Sequence, residues 1–240
     1  EGIDDGRKFM EVAKKAAKKK PIIALKSGRT EKGAMAVSSH TGSLAGSYNV
    51  YKAAFRQCGV IGADTIEEVF DFANALSSQP ACSRNSIAII TNAGGAGVLC
   101  TDYCNRHGVG LAGIRKETLR TLDSTGKMHP SYSRRNPLDI VGDALPERYE
   151  AALETLLDEK NIHGLIVIQT MQTMTDPEGN AKAIIRANKK HPDKPIVCAF
   201  LGGRLTMPGR KILEKNRIPV YDDVSKAAKV MGVLVERGRT

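Results

Sequence analysis

Apolar residues recur along this chain in two rhythms. Four short unbroken runs, Ile22-Ile23-Ala24-Leu25, Ser86-Ile87-Ala88-Ile89-Ile90-Thr91, Leu165-Ile166-Val167-Ile168 and Pro195-Ile196-Val197-Cys198-Ala199-Phe200, are rich in β-branched residues and bounded by Gly, Pro or polar positions. Runs of this length without alternation read as strands buried on both faces. Val60-Ile61 and Ile218-Pro219-Val220 read as shorter strands of the same kind. Between them the apolar positions fall at helical spacing. Phe9, Met10, Val12, Ala13, Ala16 and Ala17 share one helix face, the pair Asp4-Asp5 offers its N-cap, and Pro21 ends it. Further helices are expected over 48–57, 65–76, 98–106, 146–157, 207–216 and 224–235, and from Asp176-Pro177-Glu178 through Ala187. Asp64 or Thr65 caps the second of these with Glu67 and Glu68 in its first turn, and Pro146 suits a first helical position. The polar, Gly-containing stretch 27–39 and the stretch 124–135 read as loops.

Apolar strands alternating with amphipathic helices predict an α/β protein built on parallel sheets with helices on both faces. The Ser-rich segment 77–85 lacks periodicity and contains Pro80, so it reads as a linker, dividing the chain into domains 1–80 and 81–240. The second domain fits a flavodoxin-like strand order, 2-1-3-4-5, with residues 92–97 at the topological switch point where ligands bind.

Composition narrows the picture. The chain has 240 residues, enough for two modest cores, and its hydrophobic content of 41% is that of an ordinary globular protein. No apolar run approaches the roughly 20 residues of a membrane-spanning helix, and a cytoplasmic location is expected with no membrane partner. Cys58, Cys82, Cys100, Cys104 and Cys198 are scattered without metal spacing and read as mostly buried free thiols, and no metal site is expected. The formal charge of +10 invites a nucleic-acid reading. Lys14, Lys15, Lys18, Lys19 and Lys20 instead crowd one helix end, Trp is absent, and no nucleic-acid motif appears, so a solvated basic face is the better account. The chain opens on Glu1 and runs almost directly into a helix, so it is expected to be part of a longer polypeptide.

Two stretches carry candidate chemistry. In Ser38-Ser39-His40-Thr41-Gly42-Ser43-Leu44-Ala45-Gly46, His40 is placed just before the helix expected at 48–57. The free N–H groups of a helix start bind anions, so a histidine there could carry a phosphoryl group between Ser39, Thr41, Gly42 and Ser43. On the local sequence alone the plainer reading is favoured, in which one of these hydroxyls caps the helix beside an exposed loop histidine. In Asn92-Ala93-Gly94-Gly95-Ala96-Gly97, a glycine-rich turn joins a strand to a helix, an arrangement that cradles phosphate. It lacks GxGxxG spacing and a Walker lysine, and a turn required only for helix–sheet packing fits as well.

Taken together, the run 38–46, the turn Thr91-Asn92-Ala93-Gly94-Gly95-Ala96-Gly97 and the segment Asn136-Pro137-Leu138-Asp139 make the whole chain resemble the NDP-forming acyl-CoA synthetases, the family of succinyl-CoA synthetase and ADP-forming acetyl-CoA synthetase. The resemblance implies two flavodoxin-like, succinyl-CoA synthetase-like domains, the first incomplete because its earlier strands are missing. It implies a reversible conversion of acyl-CoA, ADP and phosphate into acid, CoA and ATP through an acyl phosphate and a phosphohistidine. His40 would be that histidine, Glu1 beside Gly2 the carboxylate holding its ring, and Ser39, Thr41, Gly42, Ser43, Asn92, Ala93, Gly94, Gly95 and Gly97 the phosphate cradle from two helix ends. CoA and ADP or ATP with Mg would bind mainly outside this chain, on a CoA-binding domain and an ATP-grasp domain or subunit of an oligomeric assembly. A small carboxylic acid and its CoA thioester would be the other substrates, and this chain alone would be inactive. The alternative is a regulatory module of the kind joined to acetyltransferases, which binds nucleotide or acyl-CoA without phosphoryl transfer.

Overall fold

The computed structural model describes residues 1–41 and 46–239, and they form two compact units, 1–74 and 75–239, described separately. In the first unit, helix α1 (Gly6–Ala17) starts where the Asp5 carboxylate accepts the Lys8 N–H, as the acidic pair foretells. Strand β1 (Ile22–Leu25) follows, then α2 (Glu31–Thr41), α3 (Tyr48–Cys58), β2 (Val60–Ala63) and the start of α4 (Ile66–Ser78). The strands pair in parallel, Ile22 opposite Val60 through Leu25 opposite Ala63. Phe9 and Met10 of α1 and Tyr51 and Phe55 of α3 close over Val60, Ile22 and Ala24, so α1 and α3 share one face of the pair. At α4, Thr65 Oγ1 accepts the Glu68 N–H at 3.1 Å while the Glu68 carboxylate reaches back one residue past the N-cap to the Asp64 N–H at 2.7 Å, so the two side chains close the helix start reciprocally.

The stretch 27–39, expected as a loop, is corrected by α2. The Thr30 hydroxyl accepts the Gly33 N–H at 3.1 Å, Glu31 sits in the positive first turn, and Val37 is buried from the inner face. One buried valine on a short, otherwise polar helix leaves almost no apolar period to read.

The second unit is a five-stranded parallel sheet in the order β4-β3-β5-β6-β7, with β3 (Ala88–Thr91), β4 (Leu138–Asp139), β5 (Leu165–Thr170), β6 (Ile196–Leu201) and β7 (Val220–Tyr221). Counted within the unit this is 2-1-3-4-5, the flavodoxin-like order, with its switch point between β3 and β5. The helices are α5 (Gly94–Arg106), α6 (Lys116–Ser124), α7 (Pro146–Asp158), α8 (Pro177–Lys190), α9 (Met207–Lys215) and α10 (Val224–Gly238). Alternate strand residues, Ala88, Ile90, Leu165, Val167, Ile196, Cys198 and Phe200, join Leu153, Leu156, Ile184 and Leu213 of α7, α8 and α9 in one core. The intervening Ile89, Ile166, Ile168, Val197 and Ala199 are equally buried on the opposite face, where α10 packs on α5, β5 and β6. All five cysteines are buried and free.

Three expectations change here. Helix α5 begins at Gly94 and not at residue 98, because glycines at a helix start need no side chain to enter the first turn. Helix α6, with Thr118 and Leu122 buried, occupies a stretch to which no element was assigned. The expected linker 77–85 begins with the last turn of α4, which continues to Ser78.

Candidate active site

The site in the first unit is built at the carboxyl end of β1, where open parallel sheets present their ligand-binding residues. Directly after the strand come Lys26, Gly28 and Arg29. Gly28 has φ +69°, which turns the chain back so that Arg29 Nε donates to the Lys26 carbonyl at 2.8 Å. The same guanidinium bonds the Asp64 carboxylate and the Ala63 carbonyl and lies 4.8 Å from the Tyr48 ring centroid. One side chain therefore clamps the ends of β1 and β2 together.

Lys26 is only 5% exposed. Its Nζ donates to the Ser27 carbonyl and stands 4.7 Å from the centroid of the Tyr51 ring. Burial pulls the ammonium below its ordinary pKa, the Glu1 carboxylate opposes that shift, and the Arg29 charge adds to it. The Tyr51 hydroxyl accepts the Ile3 N–H at 3.0 Å, tying the segment before α1 to α3.

Glu1, at the end of that segment, meets His40. The imidazole Nδ1 lies 3.1 Å from Glu1 Oε1 and 3.3 Å from Oε2, while the histidine side chain is 76% exposed. A carboxylate against Nδ1 fixes the tautomer with the proton there and leaves the Nε2 lone pair outward, the form of a nucleophilic imidazole.

His40 is not placed as expected. It lies in the last turn of α2, and α3 begins after Ser47, seven residues later. The end of α2 carries carbonyl groups and a partial negative charge, which suits a cationic ring and gives no positive dipole to a phosphate. Ser39 is exposed on the same helix, Thr41 is its last residue, and Gly42 and Ser43 lie outside the described residues. Ser47, and not Ser39, Thr41 or Ser43, occupies the N-cap position of α3.

In the second unit, the Asn92 to Gly97 run sits at the β3/β5 switch point. Asn92 is buried, and its side chain donates to the Thr170 carbonyl at 2.9 Å and accepts the Thr170 N–H at 2.7 Å, stitching the ends of β3 and β5. Ala93 is the N-cap of α5 with no side-chain cap, and its own N–H is taken by Thr91 Oγ1 at 3.0 Å. Gly97 returns its N–H to the Ala93 carbonyl at 3.1 Å, and a Cβ there would stand 2.9 Å from Thr91 Cγ2 and 3.1 Å from Pro137 Cβ. Gly97 and the Asn92 side chain thus shape the fold, whereas Gly94 and Gly95 are exposed on the first turn, where backbone N–H groups point outward.

The motif reading named Asp139 only within the segment Asn136-Pro137-Leu138-Asp139 and missed its place at this turn. Its Oδ1 accepts the Val141 N–H at 2.9 Å, and its Oδ2 would lie 2.8 Å from a Cβ at Gly94, so a carboxylate already borders the α5 start. Asn136 acts as a substitute strand, accepting the Ile89 N–H at 3.0 Å and donating to the Ile87 and Ala112 carbonyls at 2.9 Å. Lys26, Arg29 and Tyr51 were missed as well. The available signal was a pair of cations directly after a buried strand. Among the described residues no His, Cys, Asp or Glu group of three or more could hold a metal ion, and no helix is long and apolar enough to cross a membrane.

Comparison with known proteins gives this geometry its context. Residues 1–76 match the family model of the succinyl-CoA ligase like flavodoxin domain, and residues 87–239 match that of the Ligase-CoA domain. The chain is 42% identical, over its whole length, to the alpha subunit of acetate–CoA ligase [ADP-forming] II from Pyrococcus furiosus, covering 52% of that protein. It is 46% identical over 98% of its length to acetate–CoA ligase [ADP-forming] from Methanocaldococcus jannaschii, covering 33% of that protein. In structure it superposes over its whole length, with a TM-score of 0.93 and 35% identity, on 52% of the dinucleotide forming acetyl-coenzyme A synthetase 1 chain of Ca. Korarchaeum cryptofilum, solved in complex with phosphate and ADP. The chain thus spans about half the length of the alpha-type relatives it matches. With two consecutive ligase domains matched and identity above 40% sustained along its length, the chain belongs to the NDP-forming acyl-CoA ligases, the family that includes succinyl-CoA ligase and the ADP-forming acetate–CoA ligases.

Proposed function

We propose that this chain is the alpha-type portion of an ADP-forming acyl-CoA synthetase and that His40 carries the phosphoryl group. The observation that carries this reading is the Glu1 carboxylate 3.1 Å from His40 Nδ1, on a ring that is otherwise open. In the direction of ATP synthesis, phosphate attacks the thioester carbonyl and expels CoA as the thiol, leaving an acyl phosphate. Nε2 of His40 then attacks phosphorus and the carboxylic acid leaves as carboxylate. Glu1 keeps the Nδ1 proton and stabilises the positive charge that grows on the ring. Attack by the terminal oxygen of ADP on the phosphohistidine gives ATP and restores the imidazole. The relatives named as ADP-forming acetate–CoA ligases, and a structural relative holding phosphate and ADP, support the reaction class.

The whole enzyme would supply the remaining parts: a CoA-binding domain, an ATP-grasp domain or subunit for ADP or ATP with Mg, and an oligomeric assembly. A small carboxylic acid, acetate first among those to test, would be the product. Gly94 and Gly95, at the start of α5, would offer backbone N–H groups to the phosphate in one of its stations, and Gly42 and Ser43 would do so around His40, whereas Ser39 and Thr41, whose N–H groups belong to α2, would not. The domains of the working enzyme would divide at 1–80 and 81–240, with other segments of the whole protein extending the two-stranded sheet of the first.

The test uses the full-length protein with its nucleotide-binding partner. Incubation with γ-labelled ATP should place an acid-labile, base-stable phosphate on the alpha-type chain, and His40→Ala should abolish it. A label that survives in the variant would remove His40 from the mechanism. Nucleotide or acyl-CoA binding without any label would favour a regulatory module.

A further inference from the structure

We propose that Tyr51 and Lys26 are positioning residues for Glu1: Tyr51 anchors the segment that carries the carboxylate beside His40, and the Lys26 ammonium, seated on the Tyr51 ring, braces that anchor. This inference rests on the phosphoryl-carrier reading of His40 and adds to it two residues that the reading itself does not require.

Residues 1–3 belong to no helix or strand, and ordering such a segment costs about 1–2 kcal/mol per residue in backbone entropy. The side-chain contact to His40 cannot offset that alone, since both partners are accessible to water, at 76% and 35% of their side-chain surface. The segment is secured one turn before α1, where the Ile3 N–H donates to the Tyr51 hydroxyl at 3.0 Å. Tyr51 can serve as an anchor because it is itself fixed. Its ring meets Phe55 edge-on at 6.2 Å, and Phe55 is buried in the core that α1 and α3 close.

Lys26 explains the other half. Lys26 as a residue is only 5% exposed, and partial burial of its charge calls for a compensating partner. Its direct partners are the Ser27 carbonyl and the π face of Tyr51 at 4.7 Å, both of them neutral. The negative charge that favours its ionised form is Glu1, and Arg29 acts in the opposite sense. Tyr51 thus serves twice, its hydroxyl holding the backbone of the segment and its ring holding the cation.

The experiment is a double-mutant cycle on the rate of phosphohistidine formation in the assembled full-length enzyme. Tyr51→Phe keeps the ring and removes the bond to Ile3, and Lys26→Met keeps the stem and removes the charge. Each should slow the reaction about fivefold to tenfold, the worth of one hydrogen bond or one partly screened charge. In a Glu1→Gln background neither should slow it further, because both act through the carboxylate. Nitrogen-15 NMR of the His40 ring supplies a second readout, and the fraction with the proton on Nδ1 should fall in Tyr51→Phe and Lys26→Met. Losses that simply add to that of Glu1→Gln, with an unchanged ring tautomer, would overturn the inference while leaving His40 as the carrier. If the wild-type protein takes no phosphate on His40, the functional reading falls and this inference with it.

Discussion

Gly94, Gly95 and Gly97 occupy one turn of α5 but answer to different neighbours, and that difference separates architecture from chemistry. A Cβ at Gly97 would press on Thr91 and Pro137, at Gly94 on the Asp139 carboxylate, and at Gly95 on nothing within 4 Å. Gly97→Ala should therefore destabilise the second unit by about 1–3 kcal/mol through overpacking. Gly95→Ala should leave stability unchanged or raise it by up to about 1 kcal/mol, since alanine is the better helix former. If phosphate meets the start of α5, Gly95→Ala nonetheless slows phosphoryl transfer. Thermal unfolding and phosphohistidine turnover on the same two variants check both halves, and a Gly95→Ala enzyme with full turnover would make this turn purely architectural. Sequence reading found the glycines because small residues at a strand–helix junction are conspicuous. It could not rank them, because the ranking depends on Pro137 and Asp139, which lie some 40 positions away along the chain. His40 and Glu1 are separated by 39 residues. They were paired through the family resemblance, since no local pattern ties a carboxylate at one end of a helix–strand–helix stretch to an imidazole at the other.

At the scale of elements, the central strands of the second unit were legible because strands buried on both faces cannot hide their apolar runs. The helices on its outer face were partly so. Helix α6 escaped because only Thr118 and Leu122 of its nine residues are buried, and its anchorage is polar. Arg115 at its N-cap donates through Nε to Glu159 at 2.8 Å, a second Arg115 nitrogen and the Thr118 hydroxyl bond the same carboxylate, and Glu159 itself closes the end of α7. Lys194 completes the junction by donating to the Glu159 carbonyl at 2.8 Å. The Arg115 bonds are the first cause holding the Glu159 carboxyl below its ordinary pKa, with Thr118 assisting and burial opposing. A depressed carboxylate pKa means that the unfolded chain takes up its proton first as pH falls, so the stabilisation is complete above the unfolded value of about 4.3 and disappears as pH drops through the lower folded value. Glu159→Gln should thus lower the unfolding midpoint at pH 7, and its deficit relative to wild type should shrink as pH falls from the ordinary carboxyl pKa through the lower folded value. A deficit that persists undiminished into acid would mean that the junction is held by packing and not by the charge.

The two units differ most in how much core each possesses. The second unit has a layered interior in which Tyr149, Phe200, Leu153, Leu156, Ile166 and Val167 are wholly removed from water. The face of the first unit that α1 and α3 close relies on Ala13, Phe55, Cys58 and Val60 with half-buried neighbours, Ile61, Ala63 and Phe72 add a few buried positions elsewhere, and β1 has no fully buried position. Val12, Met35 and Val50 stand more than half exposed on its helices, so apolar surface that could have stabilised the unit contributes little. Small cores yield small free energies, and local openings follow from that directly. Amides of β1 and β2 should accordingly exchange with solvent through openings several kcal/mol less costly than those of β5 and β6. Hydrogen-exchange mass spectrometry on the intact protein measures both sets together, and equal protection of the two sheets would refute the assignment. The same asymmetry bears on catalysis, because the Glu1 to His40 contact belongs to the weaker unit. Tyr51→Phe releases the segment that carries Glu1 and should raise exchange at residues 3–10, leaving β5 and β6 as they are in the wild type.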